Sequence, residues 1–171
     1  MKMRFEFPDT TPTGSPPRGA APVGHLHALP PIELAAIVYL RAWCDGGANR
    51  EIIAKDFCLV MGDAAGAQAV GDFDALMTTL LNNARRPVMR HRLNCKCFGG
   101  IESAFANMIA AATGQDRDDA MLFANILMTG HAAWAAVQLV GQLGQVFLRL
   151  GRVPDRSPTP THASQPTIHR H

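Results

Sequence analysis

Apolar residues recur at three- and four-residue intervals through most of the chain, and turn formers cut that pattern into six segments. Pro30-Pro31 opens the first, since proline suits a first helical turn, and Glu33 favours the positive helix end. Leu34, Ile37, Val38, Arg41 and Trp43 carry it to about Cys44, and Asp45-Gly46-Gly47 ends it. Asn49 caps a second helix with Ile52, Ile53, Phe57, Leu59, Val60 and Met61 apolar; Gly62 ends it. Asp63 caps a third, which runs to about Asn83 with Val70, Phe73, Leu76, Met77, Leu80 and Leu81 on one side. A fourth covers Ile101–Thr113 with Phe105, Met108 and Ile109 apolar, and Gly114 stops it. Asp116 caps a fifth, whose core candidates are Met121, Leu122, Ala124, Ile126, Leu127 and Met128. Thr129-Gly130 turns into a sixth that ends at Gly151.

The flanks lack this pattern. Residues 1–29 and 153–171 are rich in Pro, Thr, Gly, Ser and His, and read as a disordered arm and a disordered tail. No alternating stretch of useful strand length stands out. The expected fold is therefore all-α: a single compact bundle of about six helices over residues 30–152. The broad apolar helix faces and the Ala/Gly-rich last helix fit an internal core, and equally a homo-oligomer interface.

Composition adds to this picture in three places. Apolar residues make up 47% of 171, enough for a core, while only 6% are aromatic, so alanine and eight methionines favour helix over sheet. The most hydrophobic run, residues 132–150, is crossed by Gln138, Gln142, Gln145 and Arg149 on one helical face. A membrane span has no use for that stripe. The opening MKMRFEFPDTTPTGSPPRG has no apolar stretch of signal-peptide type. These features predict a soluble, cytoplasmic protein without a membrane partner. Four cysteines in a chain this long make no disulfide framework, and Cys44 and Cys58 read as buried thiols.

Net charge is only +2, yet Arg85–Gly100 (RRPVMRHRLNCKCFGG) holds five of the sixteen Lys+Arg residues and no carboxylate. It also holds two of the four cysteines. His91, Cys95 and Cys97 stand as H-x3-C-x-C, a thiolate and imidazole set suited to zinc or copper(I). One residue between the sulfurs is tighter than the usual zinc loop, and a fourth ligand would have to come from Cys44, Cys58, His131 or the His25/His27 arm. A second reading is redox. Nearby positive charge favours thiolates, and a Cys-x-Cys disulfide closes a small, reducible ring. A third is electrostatic: Arg85, Arg86, Arg90, Arg92 and Lys96 could form an anion-binding or partner-binding rim, with Phe98 stacking on bases. The bland reading makes these residues a solvated connector whose cations cap the end of the third helix. Glu102, the nearest carboxylate, reads better as a first-turn helix charge than as a partner for His91.

The glycines do not form a phosphate loop. Gly62, Gly66 and Gly71 have the wrong spacing and read as turn or close-packing positions. No nucleophile elbow, HExxH or paired carboxylates occur; the four glutamates are scattered and the aspartates sit mostly at helix starts.

The segment around His91, Cys95, Cys97, Gly99-Gly100, Glu102 and Phe105, with the DRDDAMLFANILM helix after it, resembles small helical proteins of alphaproteobacteria. The resemblance spans residues 30–150 and implies that the segment is one unit; it implies no activity. The leading expectation is a non-enzymatic binding or regulatory protein that engages a protein partner through a basic Cys-x-Cys loop, either zinc-stabilised or redox-sensitive. A nucleic-acid-binding regulator using the same arginines is the alternative. An enzyme whose site no motif spells out is the second alternative.

Overall fold

A computed structural model describes residues 21–152. Most of the expected disordered arm and the whole expected tail lie outside these residues. The described part contains six α-helices: α1 (Pro31–Asp45), α2 (Ala48–Met61), α3 (Asp63–Asn83), α4 (Gly100–Thr113), α5 (Arg117–Leu127) and α6 (Gly130–Leu150). Each helix lies within a residue or two of its expectation, although two expected caps are not caps: Gly47 precedes α2, with Asn49 inside the helix, and Gly62 precedes α3, with Asp63 as its first residue, and neither start has a side-chain cap. Pro31 stands at the first position of α1. Gly46, Gly47 and Gly62 take positive φ at the α1–α2 and α2–α3 turns, a region that glycine enters without strain. The Asp116 side chain accepts the Asp119 N–H at the start of α5.

The fold is all-α, as the pattern requires. Helix α6 packs against α3, α4 and α5 and also touches α1 and α2, so the stripe of small residues at Ala132, Ala133, Ala136 and Gly144 lies at the centre of the bundle. At one end of the core, Phe57, Phe73 and Phe147 meet with ring centroids 5.7–6.2 Å apart, and Tyr39 closes the group. Each buried ring contributes about 2–3 kcal/mol by leaving water. The Tyr39 hydroxyl donates to Asp56 at 2.8 Å, and burial together with that carboxylate pushes its pKa up. Gly66 permits close packing: a Cβ there would lie 2.4 Å from the Cys58 Cα. Its reading as a packing glycine holds.

The described residues depart from expectation in three places. Residues 22–28, expected as part of the disordered arm, have regular structure. Pro22–His25 forms a strand, β1, antiparallel to β2 (Cys97–Gly99), and Leu26–Ala28 follows as a 3-10 turn. Gly24 lies against the Phe98 ring, where a Cβ would come within 2.7 Å. The Leu26 N–H donates to the Lys96 carbonyl at 2.8 Å. Two strands this short carry no alternation of their own; each is defined by the other. Second, Leu122 and Ile126 are exposed rather than core. Helix α5 buries Ala120, Ala124 and Leu127 instead, and that spacing turns Leu122 and Ile126 outward. Ile52, Leu59 and Leu81 are exposed for the same reason. Third, Cys44 and Cys58 are half-buried rather than sealed in the core. No described helix is long and apolar enough to cross a membrane.

Candidate functional site

The site is built around an arginine on the buried face of α1. Arg41 and Glu102 are both 0% exposed and are sixty-one residues apart in sequence. Arg41 Nε donates to Glu102 Oε1 at 2.6 Å and Nη2 to Oε2 at 3.1 Å, a side-on ion pair. The remaining guanidinium hydrogens point at the loop. Nη1 donates to the carbonyls of Arg92 (3.2 Å) and Cys95 (2.8 Å), and Nη2 to that of Cys97 (2.7 Å). A guanidinium has five N–H groups, so every donor of Arg41 is used.

Glu102 is saturated in the same way. It stands in the first turn of α4 and accepts the Gly99 N–H at 2.8 Å, which caps that helix. Its oxygens also accept the His91 backbone N–H at 3.0 Å and lie 2.7 Å from His91 Nδ1. A carboxylate only accepts, so the ring proton of His91 is on Nδ1. Glu102 is thus both the first-turn charge that was expected and the partner of His91 that the sequence reading ranked second. Burial alone would raise its pKa, but Arg41, the Gly99 N–H and His91 outweigh burial and hold it below the usual carboxylate range.

Residues 91–99 are therefore wound around one buried ion pair. Along this loop the two thiols come together: Cys95 Sγ lies 2.9 Å from Cys97 Sγ. The hydrogen bond from Cys97 lowers the Cys95 pKa, with help from the Arg41 charge behind it. The same bond, together with burial, raises that of Cys97. One sulfur is prepared as a nucleophile and the other as its proton-bearing neighbour.

The other expected site residues separate into groups. His91 is bound to Glu102, and no group of three or more His, Cys, Asp or Glu side chains converges as a metal set among the described residues. Cys95 and Cys97 are brought together, but His91 does not join them as a third donor. The rings of His25 and His27 stack 5.6 Å apart beside β2. Arg85 donates from Nε to the Met128 carbonyl at 2.7 Å, and its N–H reaches the Leu127 carbonyl, so it closes the end of α5 rather than of α3. Arg90 pairs with Asp45 at 2.8 Å. Arg86, Arg92 and Lys96 are exposed. Arg85 and Arg90 are thus committed to the fold.

Sequence reasoning placed Arg41 in the pattern of the first helix but gave it no part in the site. An arginine placed among Ile37, Leu40 and Trp43 on an apolar stripe was the available signal, because such a group needs a carboxylate inside the core. No family model, curated protein or solved structure matches this chain. The geometry of the site is accordingly the basis of the functional reading.

Proposed function

We propose that this is a helical binding and regulatory protein whose Cys95–Cys97 loop is a redox-responsive contact site for a partner. One observation carries the reading: the carbonyls of both cysteines are held by the same buried guanidinium while their sulfurs lie 2.9 Å apart. A disulfide bond is about 2.05 Å long, so closing it moves the sulfurs together by less than about 1 Å. The loop has already given up most of the conformational freedom that ring closure removes. In the reaction, each thiol loses one hydrogen as the S–S bond forms. A disulfide oxidant takes up the two electrons and two protons and becomes two thiols. The exposed side chains beside the pair, Lys96 and Arg92, then sit on a loop of different local shape and charge, and this supplies the signal to a partner.

The test is redox equilibration of the full chain in thiol–disulfide buffers, followed by non-reducing peptide mapping. The proposal expects a reversible Cys95–Cys97 disulfide with a midpoint inside the range of cellular thiol buffers, about −180 to −320 mV. Thiols that stay reduced throughout, or stoichiometric zinc that blocks both cysteines in purified protein, would overturn it.

A further inference from the structure

We propose that the hollow between the end of α4, the start of α5 and the middle of α6 is a binding site for a small aliphatic carboxylate. It stands apart from the thiol loop: Ala112 lines it from the last turn of α4, whereas Glu102 stands in the first. Its volume is about 380 Å³, within the range of about 300–1,000 Å³ that small-molecule sites occupy. The polar stripe along α6 supplies one wall. Arg149 of that stripe is taken up by the Val60 carbonyl at 2.8 Å, but Gln138 and Gln142 line the hollow. The carboxamide nitrogen of Gln138 is buried and has no hydrogen-bond partner among the described residues. A buried donor without an acceptor is costly, and such groups are rare in native structures.

Two further positions around the hollow depart from what a stable fold prefers. Gly141 interrupts the middle of α6, where glycine is worse than alanine, yet a Cβ there would meet nothing within 4 Å. Packing therefore does not require this glycine, and its missing side chain leaves the hollow open. Gln115 takes a φ of 62°, a region that glycine enters at lower cost. Departures from local rules gather where function sets the residue, and these three share one hollow. The chemistry of the walls names the ligand. Buried Ala120 and Val137, with Ala112, offer apolar surface to a short carbon chain. Arg117 offers a guanidinium that has no hydrogen bond or ion pair to other described residues. No aspartate or glutamate lines the hollow. Asp116 and Asp118 line a separate dip that shares Gln115 and Arg117, and Asp116 is turned to the Asp119 N–H. A carboxylate is the acceptor matched to both a guanidinium and an unpartnered carboxamide N–H. Its oxygens take the Arg117 and Gln138 donors while its carbon chain covers the apolar floor.

The experiment titrates the full isotope-labelled chain with butanoate, butanamide and butylamine, and follows backbone and side-chain amide shifts by NMR. Expected is a saturable shift of the Gln138 side-chain NH2 and of residues lining the hollow at about millimolar butanoate, as suits a ligand of few atoms. Butanamide has nearly the same shape without the charge and should bind about tenfold more weakly. Butylamine should not bind. Gln138→Leu and Arg117→Gln should each weaken butanoate binding about tenfold or more. Gly141→Leu, whose side chain fills the hollow, should abolish it. Gln138→Leu carries a second readout: with no hydrogen bond to lose, its Tm should equal or exceed that of the wild type. Butanamide binding as tightly as butanoate, the absence of a saturable shift, or shifts confined to residues outside the hollow would overturn the proposal. So would unchanged butanoate binding in Gln138→Leu. A clear drop in the Tm of that variant would also overturn it, because the amide would then already have a partner within the protein.

Discussion

Replacing Arg41 with methionine removes the guanidinium while keeping most of the side-chain volume. Breaking a fully buried ion pair from one side costs about 3–5 kcal/mol, because the remaining charge stays uncompensated. Glu102 would be that charge, with the Gly99 and His91 donors left to it. The carbonyls of Arg92, Cys95 and Cys97 also lose their donor, although these lie in a part-buried loop that water can reach. A loss of about 4 kcal/mol compares with a total stability of about 5–15 kcal/mol for a single domain. It corresponds to a fall in Tm of about 8–16 °C for a chain of this size. Urea unfolding and calorimetry measure it, with Arg86→Ala as the exposed control expected within about 0.5 kcal/mol of wild type. The double variant Arg41→Met with Glu102→Leu adds a second check. Many buried pairs are replaced by apolar residues without loss. Here the double variant should stay destabilised, because the Gly99 and His91 N–H groups lose their acceptor, and amides of residues 91–99 should exchange faster with solvent. A cost below about 1 kcal/mol for Arg41→Met would refute the claim that this pair organises the loop.

Other outcomes follow from the same geometry. Glu102 has a folded-state pKa below its unfolded value, so its contribution is fully present above the ordinary carboxylate range and is lost as pH falls through the lowered folded value. Urea midpoints measured from neutral pH downward should show that acid loss, and Glu102→Gln should flatten it. Gly66→Ala drives a Cβ to within 2.4 Å of the Cys58 backbone and should cost about 1–3 kcal/mol, whereas Gly71→Ala meets nothing within 4 Å in the middle of α3 and should stabilise by up to about 1 kcal/mol; thermal melts separate the two. Phe147→Ala opens the aromatic cluster and should cost about 3–5 kcal/mol by the same assay. Limiting iodoacetamide on reduced protein should label Cys95 before Cys97, read by peptide mass; the reverse order would contradict the direction of the thiol–thiol hydrogen bond.

What the sequence made legible was whatever local chemistry encodes. Helix ends were readable because glycine at Gly46, Gly47 and Gly62, the cap at Asp116 and the proline at Pro31 each act within one turn. Which apolar residues face inward was less so. Helix α5 has large apolar residues on more than one side, and the face that is buried is that of Ala120, Ala124 and Leu127. The segment Arg85–Gly100 stood out by composition, and the pairing of Cys95 with Cys97 followed from adjacency. Its support did not, because Arg41 lies two helices earlier and β1 pairs with a strand of three residues. Contacts of that range leave no periodicity in either partner. The arginines illustrate the limit from the other direction: five cations in a row read as a rim, yet Arg85 closes α5 and Arg90 holds Asp45. Charge in sequence does not reveal which charges the fold has already used.

The account's central claim is that one buried guanidinium sets the spacing of the two loop thiols. The measurement that reaches it most directly is the Cys95–Cys97 redox midpoint of wild type beside Arg41→Lys, taken on folded protein by non-reducing peptide mapping across thiol–disulfide buffers. Lysine keeps the charge but has three donors on one nitrogen and cannot hold Glu102 and three carbonyls in the same plane. The account predicts a less stable disulfide in the variant, with its midpoint shifted about 30 mV or more to less negative potential, equivalent to about 1.4 kcal/mol of lost preorganisation. Identical midpoints in two well-folded proteins would contradict it, and the thiol pair would then owe its spacing to the local Cys-x-Cys turn alone.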